Sequence, residues 1–244
     1  MKAMILAAGT GTRLKPLTDM IPKALIPVRG IPMLEHIILK IKATGFTQII
    51  VNTHHFGEQI IDFLASNDSF GIDIRISDER QSLLETGGAI KHAKDFLNGD
   101  ESFLVHNVDI FSNVDLKAMY RAHTESDSLA TLLVSNRPSS RQLLFDKDNR
   151  LCGWRNRETG EVKSSNPTIN PTNCMELAFG GVTIISPAIF NLLEDWNGKF
   201  SIIDFYLSVC HQCSIKPYTE KNIQIIDAGK IKGLEEAEKI IING

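Results

Sequence analysis

The sequence predicts an α/β fold, in which a mostly parallel mixed sheet carries helices on both faces. Three observations support this. Strand-like and helix-like segments alternate over residues 2–135, which is typical of βα units. The first strand-like segment, residues 2–8, is a continuous apolar run, as expected for a strand that is covered on both faces. A glycine-rich loop follows it at once, and ligands of such sheets bind beyond the carboxyl ends of the strands.

The remaining elements of this N-terminal part follow from hydrophobic periodicity. Further strands are predicted over residues 48–53, 72–77, 102–109 and 128–135. Helices are predicted over residues 32–45, 58–66, 84–97 and 114–126. Pro32 suits the first turn of the first helix, and Gly45 suits its end.

The pattern changes near residue 141. Residues 142–156 predict a hairpin with the polar turn DKDN, and residues 159–173, rich in Asn, Pro and Thr, predict a loop. A strand over 175–186, helices from Pro187 and Ser201, a strand over 222–227 and a closing helix over 231–244 complete the chain. Since no linker or repeat is visible, we expect one domain, 1–244, with a hairpin-rich insertion around residues 141–185.

Composition excludes several classes of protein. The 244 residues are 43% hydrophobic and 23% charged, with a net charge of −3, which is typical of a globular chain. No segment is strongly basic, so nucleic acid is not an expected partner. No apolar stretch is long enough to span a bilayer, and the N-terminal apolar run is too short for a signal peptide. We therefore expect a cytoplasmic protein without a membrane partner; the sequence does not indicate its oligomeric state.

Four cysteines complete the composition. Cys152 and Cys174 are isolated in the sequence, and Cys210 and Cys213 form a single CHQC pair. One such pair is weak evidence for zinc. We expect buried free thiols.

The loop after the first strand does not match two common glycine motifs. A dinucleotide fingerprint needs a third glycine where Leu14 stands, and the G-x-x-x-x-G-K-S/T loop is absent. The turn formed by residues 9–12 can still offer backbone N–H groups to an anion. Arg13 adds a fork of donors that suits phosphate, and Lys23 adds a compact charge. The alternative is a tight turn with two solvated basic residues.

At this point the sequence resembles a known family. LAAGTGTRLKPLT (residues 6–18) followed by PKALIPV (residues 22–28) is similar to the signature of sugar-1-phosphate nucleotidyltransferases, also called nucleotide-sugar pyrophosphorylases. Further segments resemble later landmarks of that family: ETGGAI (85–90), LVHNVD (104–109), FGGVTIISPAIF (179–190), and IIDAG (225–229) followed by LEEAEKII (234–241). The similarity is greatest to short members, the N-acetylmuramate-1-phosphate uridylyltransferases and mannose-1-phosphate guanylyltransferase-like enzymes. It implies a Rossmann-like fold of the nucleotide-diphospho-sugar transferase type.

The resemblance implies a reaction and a set of residues. A nucleotidyl group passes from an NTP to a sugar 1-phosphate, and pyrophosphate leaves without a covalent enzyme intermediate. It implies that Arg13 binds the β- and γ-phosphates, that Lys23 meets the α-phosphate, and that Asp109 and Asp227 bind Mg²⁺. For either aspartate the alternative is a helix N-cap. The other expected substrate-binding residues are Ala8, Gly9, Thr10, Gly11, Thr12, Glu85, Gly87, Gly88, Asn107 and Gly181. Gly87 and Gly88 are expected to let the nucleoside pack against the backbone, and base selection is expected in residues 79–85.

Two departures from the family pattern leave alternatives open. Val108 stands where the family has glycine, and the Glu-Lys-Pro motif after the hairpin is absent. Arg155, Arg157 or Lys163 could replace its lysine. Trp154 belongs either to the core or to the sugar site.

Three other functions remain to be weighed. A non-catalytic regulatory relative would keep the fold, although the retained Arg13, Lys23, Asp109 and Asp227 argue against it. Leu14 disfavours a dinucleotide-dependent oxidoreductase. A phosphocholine cytidylyltransferase would need an aromatic cage, for which the sequence shows no obvious cluster.

Overall fold

The computed structural model describes residues 1–166 and 169–239 of the chain. The predicted strands and helices occur in the predicted order, but short strands at 27–28, 31–32, 110–112, 162–163 and 215–218 were not predicted, and 162–163 lies in the segment predicted as a loop. The strands are β1 (Lys2–Leu6), β2 (Pro27–Val28), β3 (Ile31–Pro32), β4 (Gln48–Thr53), β5 (Asp73–Asp78), β6 (Phe103–Asn107), β7 (Ile110–Ser112), β8 (Ala130–Ser135), β9 (Arg141–Phe145), β10 (Leu151–Asn156), β11 (Val162–Lys163), β12 (Met175–Ile185), β13 (Ile215–Tyr218) and β14 (Ile225–Asp227). The helices are α1 (Met33–Ala43), α2 (Gly57–Ser66), α3 (Glu85–His92), α4 (Lys94–Leu97), α5 (Leu116–Thr124), α6 (Ile189–Leu192), α7 (Ile202–Val209) and α8 (Ile231–Lys239). The last part of the predicted closing helix, residues 240–244, lies outside the described residues.

The predicted α/β fold with a mixed central sheet is confirmed. The sheet has the order β11-β10-β9-β12-β6-β1-β4-β5, and β8 joins it through β12 and pairs with β13. Strands β6, β1, β4 and β5 are parallel, so their carboxyl ends share one edge of the sheet. The eleven-residue β12 runs antiparallel between β6 and β8. Strand β8, expected to continue the parallel series, is therefore separated from it by a strand that comes later in the chain.

Helices pack on both faces of the sheet because successive side chains of a strand point to opposite faces. On β1, Ala3 and Ile5 belong to one hydrophobic core and Met4 to the other. Helices α1, α2, α5 and α8 cover the first core, and α3, α4, α6 and α7 cover the second. Burial on both faces explains why β1 is apolar at successive positions instead of alternating.

Among the described helices, none combines the length and the apolar character that a membrane crossing needs. The four cysteines are free, as predicted, but they are half-buried and not buried. Cys152 and Cys174, although distant in sequence, lie with their Sγ atoms 3.7 Å apart.

Candidate active site

A cavity of about 870 Å³ lies where β1 and β6 end at the common edge of the sheet. Its wall combines the loop after β1, the segment after β6, the end of β14, the start of α3, the start of α7 and the β9–β10–β11 hairpin. Nine of the predicted site residues line it: Ala8, Gly9, Arg13, Lys23, Glu85, Asn107, Asp109, Gly181 and Asp227. The edge that parallel topology predicted as a binding site therefore holds the cavity.

The start of the loop after β1 is held by hydrogen bonds to a buried amide side chain. Asn52, at the end of β4, accepts hydrogen bonds through Oδ1 from Ala7 N at 2.6 Å and Ala8 N at 3.2 Å. This leaves the backbone of Ala8 and Gly9 on the cavity wall. The loop is thus held by a neighbouring parallel strand before any ligand contact.

Gly11 makes the tight turn of this loop. Its φ is +65°, and a Cβ there would lie 2.7 Å from Thr18 Cγ2, so a side chain would be excluded both by its conformation and by packing. Thr18 Oγ1 closes the turn by donating to Gly11 O at 2.9 Å. Thr10, Gly11 and Thr12 build this turn, but none of the three lines the cavity.

Four charged side chains converge on the floor of the cavity. The Lys23 ammonium pairs with the Asp109 carboxylate, and both side chains are buried. Arg13 Nη1 lies 4.0 Å from Asp227 Oδ2. A side chain at Gly229 would collide with Asp109, Lys23 and Asp227 together. The absence of a side chain at Gly229 therefore leaves the space into which these charges point.

Strand pairing explains why Asp109 and Asp227 meet although they are far apart in sequence. Strand β14 pairs with β7 so that Asp227 lies opposite Ile110, the residue after Asp109. Ala228 N also donates to Asp109 O at 2.9 Å. Val108 packs in the core covered by α1, α2, α5 and α8 and does not line the cavity.

The two aspartates suit a divalent cation that shares its ligands with a substrate. Their carboxylates face the same space beside Gly229. Within the described residues, no group of three or more His, Cys, Asp or Glu side chains is placed to hold a metal ion. A cation here would therefore complete its shell with phosphate oxygens and water, which is the usual arrangement for Mg²⁺.

Glu79 is a buried carboxylate on the cavity wall. The sequence indicates it only as the first residue of the segment 79–85, in which base selection is expected. Glu79 accepts hydrogen bonds from Asn52 Nδ2 at 2.7 Å and from Leu84 N at 3.2 Å. Burial raises the pKa of Glu79 above its ordinary value, and these two hydrogen bonds oppose the shift. Asn52 thus links the loop after β1 to the segment that precedes α3.

Gly87 and Gly88 do not line the cavity, although the sequence suggested that they contact the nucleoside. A Cβ at Gly87 would collide with the Phe200 ring, and one at Gly88 would collide with Gly198 O. Gly87 N also donates to Phe200 O at 2.9 Å. The structure therefore gives both glycines a packing role, which is to let the segment before α7 lie against α3.

Their neighbours Glu85 and Thr86 do line the cavity. Glu85 has a positive φ of 58°, and Lys199 Nζ lies 3.4 Å from its Oε1. Thr86 Oγ1 accepts a hydrogen bond from Ile202 N at 2.9 Å. The start of α3 and the start of α7 therefore position each other on the wall.

Asn107 and Gly181 form the wall at the end of β6. Gly181 has φ +70°, and a Cβ there would lie 2.6 Å from Ile110 Cγ1 and 3.1 Å from Asn107 Nδ2. The register of β12 against β8 shifts between Phe179 and Thr183. This irregularity in β12 brings the backbone close to Asn107, which only glycine permits.

The β9–β10–β11 hairpin gives different surroundings to the three residues that could replace the lysine of the absent Glu-Lys-Pro motif. Arg155 Nη1 and Arg157 Nε pair with Glu176 at 2.9 and 2.7 Å. Burial alone would raise the pKa of Glu176, but the hydrogen bonds from the two arginines outweigh it and lower that pKa. Lys163 instead lines the cavity, with Nζ 5.3 Å from the centre of the Trp154 ring. Trp154 also lines the cavity.

Two arginines on the outer wall were missed by the sequence reasoning. Arg137 follows β8, and Arg141 opens β9. Arg137 Nη2 donates to Phe179 O at 3.0 Å. Arg137 follows a strand end, which is a sequence signal that could have indicated it, whereas Arg141 is the first residue of a strand and has no such signal.

Further missed residues come mainly from the hairpin and from α7. They share positions on the cavity wall, and no role was predicted for any of them, although three lie inside the quoted motifs: Leu6, Asn52, Thr86, Ile110, Ser139, Leu143, Asn156, Glu161, Phe179, Ser201, Ile203 and Asp204.

Comparison with known proteins gives one family and several relatives. The family model described as nucleotidyl transferase matches residues 2–143. An N-acetylmuramate alpha-1-phosphate uridylyltransferase from Neisseria meningitidis serogroup B is 36% identical over 197 residues, which cover 80% of this chain and 79% of the relative. A protein of the same name from Caulobacter vibrioides is 42% identical over 109 residues, covering 44% of this chain and 45% of the relative.

The fold is also similar to solved structures. HddC from Yersinia pseudotuberculosis, solved in complex with GMP-PN, superimposes with a TM-score of 0.75 at 23% identity, covering 98% of each chain. At this identity the likeness concerns the fold alone.

Proposed function

Because the chain belongs to the nucleotidyl transferase family, and is thus an enzyme that joins a nucleotidyl group to a sugar 1-phosphate, we propose that its substrates are UTP and N-acetylmuramate 1-phosphate. The proposal of these two substrates is supported by the names of the relatives from Neisseria meningitidis and Caulobacter vibrioides. The observation that carries the site assignment is the convergence of Arg13, Lys23, Asp109 and Asp227 beside the backbone of the loop after β1. The reaction consumes a nucleoside triphosphate, so we propose the cytoplasm as its compartment.

The reaction brings two anions together and expels a third. An oxygen of the sugar phosphate forms a bond to the α-phosphorus of UTP, the bond from that phosphorus to the bridging oxygen breaks, and pyrophosphate leaves. Positioned positive charge is therefore the main catalytic requirement. The donor fork of Arg13 binds the β- and γ-phosphates and follows the departing pyrophosphate.

Lys23 acts at the α-phosphate. Its ammonium is held by the buried Asp109 carboxylate, so its position is set before the triphosphate arrives. Bound by Asp109 and Asp227, a Mg²⁺ ion would neutralise phosphate charge and orient the triphosphate oxygens. The backbone of Ala8 and Gly9, which line the cavity, completes the cradle.

The insertion over residues 141–185 binds the sugar. Lys163 is the residue that we assign to the sugar phosphate, because Arg155 and Arg157 are committed to Glu176 whereas Lys163 lines the cavity. Trp154, beside Lys163, packs against the sugar ring. We propose that the whole chain, 1–244, works as one nucleotidyltransferase domain around this cavity.

Pyrophosphate release tests the proposed substrates. The protein is incubated with Mg²⁺, each common NTP in turn, and the 1-phosphates of N-acetylmuramate, N-acetylglucosamine, mannose, glucose and heptose, with phosphocholine as a further acceptor. We expect the fastest release with UTP and N-acetylmuramate 1-phosphate. Faster release with another nucleotide, another sugar or phosphocholine would replace this proposal with that pair.

A further inference from the structure

Arg137 and Arg141 differ from the other cations of the cavity wall. Lys23 pairs with Asp109, Lys163 Nζ lies 3.4 Å from Asp204 Oδ1, and Arg13 faces Asp227. Across residues 1–166 and 169–239, no carboxylate oxygen lies within 4.0 Å of either remaining guanidinium. The wall therefore carries two permanent positive charges that the protein itself does not neutralise.

Arg137 is positioned as a donor and is only partly satisfied. Its Nη2 donates to Phe179 O at 3.0 Å, which fixes the guanidinium against β12. Its Nε is buried and lacks a hydrogen-bond partner in the described part of the chain. A guanidinium that is anchored at one nitrogen loses little further freedom when it binds an acceptor.

Strand register places Arg141 relative to the proposed sugar-phosphate residue. Trp154 lies opposite both Leu143 and Lys163, and Asn156 lies opposite Arg141. Cross-strand partners and residues two apart share a face of a sheet. Arg141 therefore lies on the same cavity-facing surface as Lys163, two residues (about 7 Å) along the strand and two strands (about 9.5 Å) across the sheet, or about 12 Å between backbone positions.

The long side chains of Lys163 and Arg141 start from these two positions and can reach opposite sides of one sugar ring that lies between them. A sugar whose 1-phosphate meets Lys163 extends over Trp154 and Leu143 and presents its far side to Arg141. A neutral far side would leave both guanidinium groups without a counter-charge. A carboxylate there would accept paired hydrogen bonds from a planar guanidinium, which is the geometry in which arginine binds most strongly.

We propose that Arg137 and Arg141 bind a carboxylate on the side of the sugar away from its 1-phosphate, so that the enzyme selects acidic sugar 1-phosphates over neutral ones. This inference rests on the proposed function and deepens it. N-acetylmuramate 1-phosphate carries a carboxylate on its lactyl ether, whereas N-acetylglucosamine 1-phosphate has the same ring without it. The two sugars therefore form a matched pair for the test.

The test measures kcat/KM for both sugars with saturating UTP, and calorimetric binding of both sugar 1-phosphates without UTP. We expect Arg141→Gln and Arg137→Gln to lose about 10- to 100-fold in kcat/KM with N-acetylmuramate 1-phosphate, with less than about a threefold change for N-acetylglucosamine 1-phosphate. Arg141→Lys, which keeps the charge but not the fork, should lie between. Arg157→Gln is the matched control, because Arg157 lies on the same hairpin but pairs with Glu176.

Each outcome supports or overturns the inference separately from the proposed function. Equal losses of kcat/KM with both sugars would overturn it, since the arginines would then bind a part that the two sugars share. No loss in either arginine variant would also overturn it, since the arginines would then not contribute to binding the sugar. Wild-type preference for the neutral sugar in both kinetics and binding would do the same. If glucuronate 1-phosphate were preferred to N-acetylmuramate and to glucose 1-phosphate, the proposed acceptor would be wrong while the selection of a carboxylate would stand.

Discussion

Lys23 and Asp109 are oppositely charged side chains that are both buried on the cavity floor. A buried ion pair adds little net stability, but removing one partner leaves the other charge uncompensated. We therefore expect Lys23→Ala to lower the free energy of unfolding by about 3–5 kcal/mol. The double variant Lys23→Met/Asp109→Leu should regain most of that loss while remaining inactive.

Denaturant unfolding and pyrophosphate release measure the two parts of this prediction. Lys15→Ala removes a lysine whose ion pair with Asp19 is exposed, so it serves as the control for loss of a surface pair, which costs at most about 1 kcal/mol. If Lys23→Ala were as stable as this control, the pair would not be desolvated as the structure indicates.

Asp227 is the more exposed of the two proposed Mg²⁺ ligands, and its substitution tests the metal assignment. Removing one carboxylate weakens a cation site without removing the phosphates that also bind the ion. We expect Asp227→Asn to raise the Mg²⁺ concentration needed for half-maximal activity by at least about tenfold, roughly 1.4 kcal/mol. Asp148→Asn, in the exposed turn between β9 and β10, is the control. An unchanged Mg²⁺ titration would show that Asp227 does not bind the ion.

At the scale of secondary-structure elements, α3 and the segment before α7 are joined through glycines. A Cβ at Gly87 would enter the Phe200 ring, and overpacking of this kind costs about 1–3 kcal/mol. We expect Gly87→Ala to destabilise the protein by that amount in denaturant unfolding. Gly9→Ala is the control for this measurement, because no atom lies within 4 Å of the corresponding Cβ.

A double-mutant cycle identifies the partner. Phe200→Leu replaces the ring that the new methyl group meets with a smaller side chain. The Gly87→Ala/Phe200→Leu double variant should therefore be more stable than the sum of the single effects predicts. Strict additivity would mean that the clash lies elsewhere.

The same elements show what could be predicted from the sequence. The loop after β1 and Asp109 follow strands whose carboxyl ends must meet in a parallel sheet, so their convergence was predictable. The faces of Lys163 and Arg155 were not predictable, because residues 159–173 were predicted as a loop; the pairing of Lys163 with Trp154 and of Arg155 with Val162 places them on opposite faces of the hairpin. Which face points inward depends on the pairing of β9 with β12, a long-range contact that local sequence does not encode.

The glycines of α3 illustrate a second limit. The sequence indicates that residues 87 and 88 must be small but not what approaches them. Their neighbours, Phe200 and Gly198, come from a segment far along the chain. A glycine that permits tight packing and a glycine that contacts a ligand look the same in a sequence, so the nucleoside contact was a reasonable prediction with no support in the packing.

At the scale of the whole molecule, the two ends of the described chain close the site together. The loop after β1 carries Arg13 and Lys23, whereas Asp227 comes from β14 near the other end. Helix α8 packs behind β14, and Arg29 N donates to Glu238 Oε1 at 2.8 Å. Since the proposed catalytic cluster needs both segments, its geometry depends on global folding instead of on any local unit.

Global stability should depend on pH through two buried histidines. Burial lowers the pKa of His123 to about 4 and is the largest cause that lowers the pKa of His106 to about 3. His123 is held neutral between the hydroxyl groups of Thr131 and Ser102, at 2.9 and 3.1 Å. In the unfolded chain both rings would titrate near the ordinary value of about 6.5.

Folding therefore excludes protons that the unfolded chain binds below about pH 6.5, and the free energy of unfolding falls as the pH falls. Each histidine contributes a slope of about 1.4 kcal/mol per pH unit until its folded-state pKa is reached. We expect His123→Gln to reduce the slope between pH 4.5 and 6 by about that amount, whatever its effect at pH 8. His211→Gln, an exposed position, is the control in the same denaturant series. If both variants kept the wild-type slope, protonation of His123 would not be linked to unfolding, and the stability lost in acid would have to come from His106 and from the carboxylates that form the native ion pairs.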